Sequence, residues 1–423
     1  MTRLALGIIL AVAALPACSS DHAASSTSSG NAGGSGNAGG SGSAGGSGNA
    51  GGSPVGTGGN APTPTPAPSC TPGAGFTGAP LAEATANTWT WIPFPDALCE
   101  DGSTTGIGVR IRPGSTKLAI YLEGGGACFH PDSCNISALF SHFDASSFAT
   151  WTVGAGNAGI WDDTDATNPF ADYSMVYVPY CTGDVHAGNA EHVDVPGAGA
   201  PTNQMFVGYR NIGFYLQRLV PTFTNVDHVV LTGISAGGIG AAYNYDRVAQ
   251  AFCGSDVTLL DDSGPPMTDT YLAPCLQQRW RDLWNLNATL PADCAACSSQ
   301  PDGGGIINYL SYITNKYPNA QLSLISSNQD GVISTFYGYG ANDCQGLTGT
   351  SAGMTGDVFE AGLEELRDKY LSSSDNLGTY FIASTQHTWL TPTSFFGTTV
   401  SGVALTAWTN LLVNQGSATH VDP

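Results

Sequence analysis

Among 56 glycines, one short stretch carries the residue types of covalent catalysis: Gly233-Ile234-Ser235-Ala236-Gly237-Gly238. It follows the apolar, β-branched run His228-Val229-Val230-Leu231-Thr232 and precedes a helical pattern from Ile239 to Phe252. A serine between a buried strand and a helix sits on a turn so sharp that its flanks must be small. That is the context in which Gly-x-Ser-x-Gly denotes a nucleophile elbow. The helix behind it also turns its first backbone N–H groups toward any anion formed there.

A serine nucleophile needs a base, an acid that orients the base, and donors for the oxyanion. With the chain order Ser, acid, His, the base is His387 or His420, the two histidines after Ser235. His420 lies three residues from the end, where fraying is the default. His387 follows the run Tyr380-Phe381-Ile382-Ala383, at a strand's C-terminal edge, where ligand sites of open α/β sheets lie. The acid is Asp330, after Leu322–Ser326, or one of Asp261 and Asp262, after Val257–Leu260; order favours Asp330. The run Leu118–Leu122 leads into Glu123-Gly124-Gly125-Gly126-Ala127, where Gly125 and Gly126 let backbone N–H groups approach an oxyanion together with that of Ala236. No Lys follows and GxGxxG spacing is absent, so phosphate binding is a poor reading. Phe129 and His130, just beyond, are placed as pocket lining.

These groups must be carried by a sheet. The runs Leu118–Leu122, Met175–Pro179, Val229–Leu231, Val257–Leu260, Leu322–Ser326 and Tyr380–Ala383 read as strands. Helical patterns over Asn203–Leu219 (stopped by Pro221), Ile239–Phe252 and Val358–Tyr370 alternate with them. This predicts an α/β fold with a mostly parallel sheet and helices on both faces. The globular part, 70–423, exceeds a usual single core, so insertions forming a cap are expected.

The chain has 12 basic and 33 acidic residues, a formal charge of −21. Such a surface repels phosphate backbones and excludes nucleic acid as a partner. Residues 1–18 read as an export signal whose Leu15-Pro16-Ala17-Cys18 resembles a bacterial lipobox, with Cys18 acylated. Residues 19–69 form a tether: four tandem six-residue Gly/Ser/Asn units over Gly30–Ser53, then alternating prolines. As a coil it spans roughly 40 Å. Ser19 rather than Asp suits outer-membrane sorting, with a monomer facing the surface or the periplasm. Ten cysteines remain after Cys18, an even number that implies disulfides in an exported chain. Cys128–Cys134 is the one pairing we expect. Cys294 and Cys297 lack a second ligand pair, so no metal is expected.

The motifs Leu122-Glu123-Gly124-Gly125-Gly126-x-Cys128, Pro179-Tyr180-Cys181-x-x-Asp184-Val185, Gly233-x-Ser235-Ala236-Gly237-Gly238-x-Gly240-x-x-x-Asn244-x-Asp246-x-Val248 and Asp262-Ser263-Gly264 together resemble the pectin acetylesterase/Notum family. The resemblance spans Trp91 to Trp389. It implies a disulfide-bonded α/β-hydrolase fold, a Ser235–Asp330–His387 triad, no cofactor, and Asp262 in a structural role. It places Asp184 and His186 near the substrate. The implied activity is hydrolysis of acetyl esters on polysaccharides, with a Notum-like deacylase or a non-catalytic binding lipoprotein as alternatives.

Overall fold

The computed structural model describes residues 71–298, 300–372, 376–391 and 393–423. The expectations for residues 1–70, Cys18 included, lie outside the described residues.

Nine strands form one sheet: β1 (Thr90–Leu98), β2 (Thr104–Arg110), β3 (Lys117–Leu122), β4 (Ser174–Val178), β5 (His228–Ile234), β6 (Asp256–Asp262), β7 (Leu322–Ser327), β8 (Leu377–Ile382) and β9 (His420–Val421). Their spatial order is β1-β2-β4-β3-β5-β6-β7-β8-β9. From β4 through β9 every neighbouring pair is parallel, whereas β1, β2 and β4 pair antiparallel. Side chains alternate between two cores. Leu118, Ile120, Leu122, Val229 and Leu231 pack on one face, and Ala119, Tyr121 and Val230 on the other. The helices that matter below are α1 (Pro131–Ser137), α2 (Gly208–Thr222), α3 (Ala236–Ala251), α4 (Pro274–Trp284), α5 (Ile333–Tyr337), α6 (Gly356–Leu366) and α7 (Leu405–Gln415). Ile212 of α2 and Val248 of α3 cover the first face; Trp408 and Leu412 of α7 cover the second. This is an α/β-hydrolase-like architecture.

The six strands read from the sequence are six consecutive members of the parallel block. Two expectations are corrected. The antiparallel pair β1–β2 is not foreseen by the apolar pattern, because Pro93 and Pro95 interrupt it; prolines are tolerated there since β1 is an edge strand. The expected helix Asn203–Leu219 begins at Gly208 and runs to Thr222. Gln204–Phe206 instead pairs with Ala190–Val193, and the buried Asp184 accepts Gly208 N–H through Oδ2 at 2.7 Å, which sets the helix start. Pro221 lies inside the last turn, where one missing N–H is tolerated because Phe223 N–H still reaches Leu219 O at 2.9 Å.

Disulfides join Cys99–Cys181, Cys128–Cys134, Cys275–Cys344 and Cys294–Cys297, and Cys253 is also bridged. The expected Cys128–Cys134 bond is present. Beside Cys99 lies Glu100, 2 % exposed. Burial, aided by the charge of Asp184, pushes its carboxyl up to about 8 from an ordinary 4.5. A raised carboxyl pKa means the folded state holds a proton that the unfolded chain releases, so stability is lost as pH rises from about 4.5 through 8. Glu100→Gln should therefore flatten the fall in Tm between pH 5 and 9, as read by thermal denaturation at each pH. Parallel curves for both proteins would show that Glu100 stays ionised throughout.

Candidate functional site

Ser235 links β5 to α3 at φ 57° and ψ −124°, a left-handed backbone that a non-glycine residue holds only under local constraint. The constraint is visible. Ser235 N–H donates to Asp262 O at 2.8 Å. A Cβ on Gly124 would lie 2.8 Å from Ser235 Cβ, and one on Gly237 would overlap Leu122 O and sit 2.7 Å from Glu123 O. The glycine loop after β3 and the elbow after β5 are thus pressed together across neighbouring strands, and only glycine fits at either contact.

Asp330 follows β7 and is fully buried. Its Oδ1 accepts the N–H groups of Val332 and Ile333, both at 2.9 Å. Its Oδ2 accepts His387 Nδ1–H at 2.8 Å. The tautomer is assigned from that carboxylate partner, and it leaves Nε2 as the proton-accepting nitrogen. Nε2 is buried and has no hydrogen-bond partner among the described residues. Ser235, Asp330 and His387 all stand beyond the C-terminal ends of parallel strands, on β5, β7 and β8. An imidazole held in this way can take a proton from a hydroxyl and return it.

The strand between them, β6, ends in Asp262, which is buried and not paired with His387. Its Oδ2 accepts the N–H groups of Trp389 and Leu390 at 2.7 and 2.8 Å, and its Oδ1 accepts Ser263 Oγ–H at 2.9 Å. Burial pushes its carboxyl up to about 6, against the pull of these donors. One residue therefore ties the elbow, through its carbonyl, to the loop that carries His387, through its carboxylate.

Among the described residues the N–H groups of Gly125, Gly126 and Ala236 donate to no acceptor. The glycine loop is held from behind. His186 Nε2–H donates to Glu123 O at 2.8 Å, and burial lowers this imidazole to about 4, so it is neutral. Tyr180 N–H donates to Glu123 Oε2 at 3.0 Å, and Tyr180 Oη–H to Gly126 O at 2.8 Å. Burial raises the Glu123 carboxyl to about 7.

The four pocket-lining expectations find other tasks. Asp184 is fully buried and accepts from Thr182 Oγ1, His186 N, Gly188 N and Gly208 N at 2.6–3.1 Å. Burial raises its carboxyl to about 6. His186 supports the glycine loop. Phe129 is fully buried among Trp280, Trp284, Phe336 and Tyr339. His130 caps α1. Tyr180 escapes sequence reasoning; it lies in the Pro179-Tyr180-Cys181 motif with no role of its own, and only the fold shows its hydroxyl bridging two loops.

An elbow serine, an Asp–His pair and unpaired loop amides on one edge of a parallel sheet define the serine-hydrolase class of α/β folds. A model of the Pectinacetylesterase family matches residues 86–313, and the chain belongs to that family. Related proteins include the palmitoleoyl-protein carboxylesterases Notum of Schmidtea mediterranea, 35 % identical over 166 residues, and of Homo sapiens, 29 % identical over 158 residues. These matches cover 37 % and 36 % of this chain and 29 % and 30 % of the relatives, so the chain spans about a third of their length. The solved structure of the Drosophila Wnt deacylase Notum superimposes with a TM-score of 0.53 at 18 % identity, covering 77 % of this chain and 92 % of that one. At that identity the likeness shows the fold.

Replacing Asp262 by Ala strips two buried N–H groups of their acceptor. Each such orphan costs about 1–3 kcal/mol, so Asp262→Ala should lower stability by about 3 kcal/mol in urea unfolding. A loss under about 0.5 kcal/mol would mean that the loop after His387 is held elsewhere.

Proposed function

We propose that the chain is a serine carboxylesterase that removes O-acetyl groups from polysaccharides. The Asp330–His387 pair carries the reading, with Nε2 unpartnered at the sheet edge that also holds the strained Ser235. His387 Nε2 takes the Ser235 hydroxyl proton as Oγ attacks the acetyl carbon. The tetrahedral oxyanion is received by the N–H groups of Gly125, Gly126 and Ala236. Collapse expels the sugar alkoxide, which recovers the proton from His387 as an alcohol. Water then repeats the sequence on the acetyl-Ser235 ester, releasing acetate. Asp330 keeps the imidazole in its productive tautomer and balances its transient charge.

A small acyl group suits the walls of the glycine loop: a side chain on Gly125 would meet Tyr180 and Phe140, and one on Gly126 would meet Ile136 and Phe336. The same walls support a second reading. Ile136, Leu139 and Phe140 are 44 %, 69 % and 38 % exposed, an apolar rim that a longer acyl chain could cover, as in a lipid deacylase. Rates on p-nitrophenyl esters of rising chain length separate the two. A preference for acetate supports the first, and a rise toward longer chains moves the assignment to the second. A fluorophosphonate probe that fails to label the protein would instead favour a binding protein on a hydrolase fold. Cys18 lipidation and the 19–69 tether complete the proposal by placing the enzyme at an outer membrane, with the disulfides in keeping with an oxidising compartment.

Ser235→Ala should reduce ester hydrolysis by at least a thousandfold with Tm unchanged, because loss of a triad member normally costs more than that. Asp330→Asn should lower kcat far more than Asp262→Asn; the reverse order would move the acid to β6. The charge of −21 adds a salt dependence. Activity on acetylated pectin, a polyanion, should rise between 10 and 300 mM salt, as the screening length falls from ~30 Å to under ~10 Å. Activity on acetyl-xylan should stay nearly flat and at least as high. A pectin rate that is higher and falls with salt would overturn the charge argument.

A further inference from the structure

The two peptides that carry the proposed loop donors, Gly124–Gly125 and Gly125–Gly126, lie in a run of three glycines, the residue type with the most backbone freedom to lose. Donors stabilise an oxyanion best when their direction is set before charge develops. In this loop the setting comes from the peptides on either side. The Glu123 carbonyl accepts His186 Nε2–H and the Gly126 carbonyl accepts Tyr180 Oη–H, both at 2.8 Å. A peptide is planar, so fixing those two carbonyls fixes the Glu123–Gly124 and Gly126–Ala127 planes. The two donor peptides are stretched between them. The Tyr180 ring also fills the space that a side chain on Gly125 would need.

Both clamps come from one short segment, and its backbone is strained. Val185 and His186 hold consecutive left-handed angles, φ 50° and 57°, which side chains of this bulk rarely adopt. Asp184 keeps them there, its Oδ1 accepting His186 N–H at 3.1 Å. So does Tyr180 itself, whose hydroxyl accepts Val185 N–H at 3.0 Å. The rings of Tyr180 and His186 pack with centroids 4.9 Å apart. The far side of the segment lies on α3, the helix that starts next to Ser235. Asn244 Nδ2–H groups donate to His186 O at 3.0 Å and to Gly240 O at 2.8 Å, and a Cβ on Gly240 would sit 2.7 Å from Val185 O. Glycine loop, clamping segment and nucleophile helix are therefore one bonded unit. Tyr180 and His186 are buried within it, so what each can reach is the loop and not solvent.

We propose that Tyr180 and His186 are positioning residues for the oxyanion hole, holding the Gly125 and Gly126 N–H groups in the direction that the tetrahedral intermediate on Ser235 needs. This role rests on the esterase reading of Ser235. Neither side chain touches the reacting atoms; each acts through a carbonyl in the peptide next to a donor. The ester carbonyl is neutral until Ser235 Oγ attacks, so its ground state calls little on the hole. Loosening a clamp therefore costs turnover rather than substrate affinity. Backbone strain persists where the surroundings over-determine it, and here the strained pair aims the imidazole at Glu123.

The test is steady-state kinetics of the full chain on p-nitrophenyl acetate, with active sites counted by fluorophosphonate titration run to completion. Inhibition by trifluoroacetone is measured beside it, because its hemiketal with Ser235 places an oxyanion in the hole. Tyr180→Phe, which keeps the ring and removes only the hydroxyl, and His186→Ala should each lower kcat by about tenfold to a hundredfold, less than the ~10²–10³ for a donor lost outright, with KM within about twofold. Affinity for trifluoroacetone should fall by about the same factor as kcat. Loss of folded enzyme alone lowers the count of active sites but neither kcat per site nor the inhibition constant, so it cannot imitate this pattern. His186→Gln, which can still donate to the Glu123 carbonyl, should recover part of the loss seen in His186→Ala. Amide hydrogen exchange over residues 123–127 should quicken in Tyr180→Phe while that of β8 stays at the parental rate, a readout that needs no turnover. The proposal is overturned by parental kcat in either variant, by a rise in KM that accounts for the whole loss, by an unchanged inhibition constant where kcat has fallen, or by parental exchange in the loop. Should His186→Ala not fold, Tyr180→Phe and His186→Gln decide the matter. A parent that hydrolyses no ester and takes no fluorophosphonate removes the esterase reading itself, whereas an active parent with indifferent variants removes only the positioning role.

Discussion

The constraint on which the site depends is the double engagement of Asp262. Its carbonyl accepts Ser235 N–H at 2.8 Å, and its carboxylate accepts the N–H groups two and three residues beyond His387. The elbow and the histidine loop come from strands far apart in sequence, and neither has a regular ladder to fix it. A buried carboxylate with several N–H donors is a rigid connector, because each donor left unmatched would carry a full desolvation penalty. The register β5-β6-β7-β8 then decides which side chains meet. Ser235, Asp262, Asp330 and His387 each emerge from the end of a different strand in that row.

The same device recurs. Asp184 gathers three backbone N–H groups and a hydroxyl beneath the glycine loop, Asp330 gathers two before it reaches His387, and Glu123 takes that of Tyr180. An acidic composition is therefore partly an interior property here. Several carboxylates that count toward the formal charge are structural acceptors, and burial pushes Asp184, Glu123 and Glu100 toward neutrality.

How much of this is legible in the sequence depends on the range of the interaction. The parallel strands announce themselves as short apolar runs, and the elbow as small residues around Ser235, because both are local patterns. The edge pair β1–β2 is hidden by Pro93 and Pro95, whose acceptability depends on lying at the margin of a sheet. Asp184 and His186 can be placed near the site by motif, yet their task, holding backbone rather than facing a pocket, follows from partners at Gly208 and Glu123 that no spacing rule connects.

The bridges divide by the length of chain they close. Cys294–Cys297 and Cys128–Cys134 join residues 3 and 6 apart, whereas Cys275–Cys344 and Cys99–Cys181 join residues 69 and 82 apart. In the loop-entropy account the short closures restrict the unfolded chain by about 2 kcal/mol each and the long ones by about 4.5 kcal/mol. The short pairs can therefore oxidise at any moment of biogenesis, from local encounters alone. Of the long pairs, Cys99–Cys181 depends on strands already brought together, since Cys99 leaves β1 and Cys181 follows β4, whereas Cys275 lies on α4. The Cys99–Cys181 bridge thus works as a latch on paired strands rather than as a guide to them.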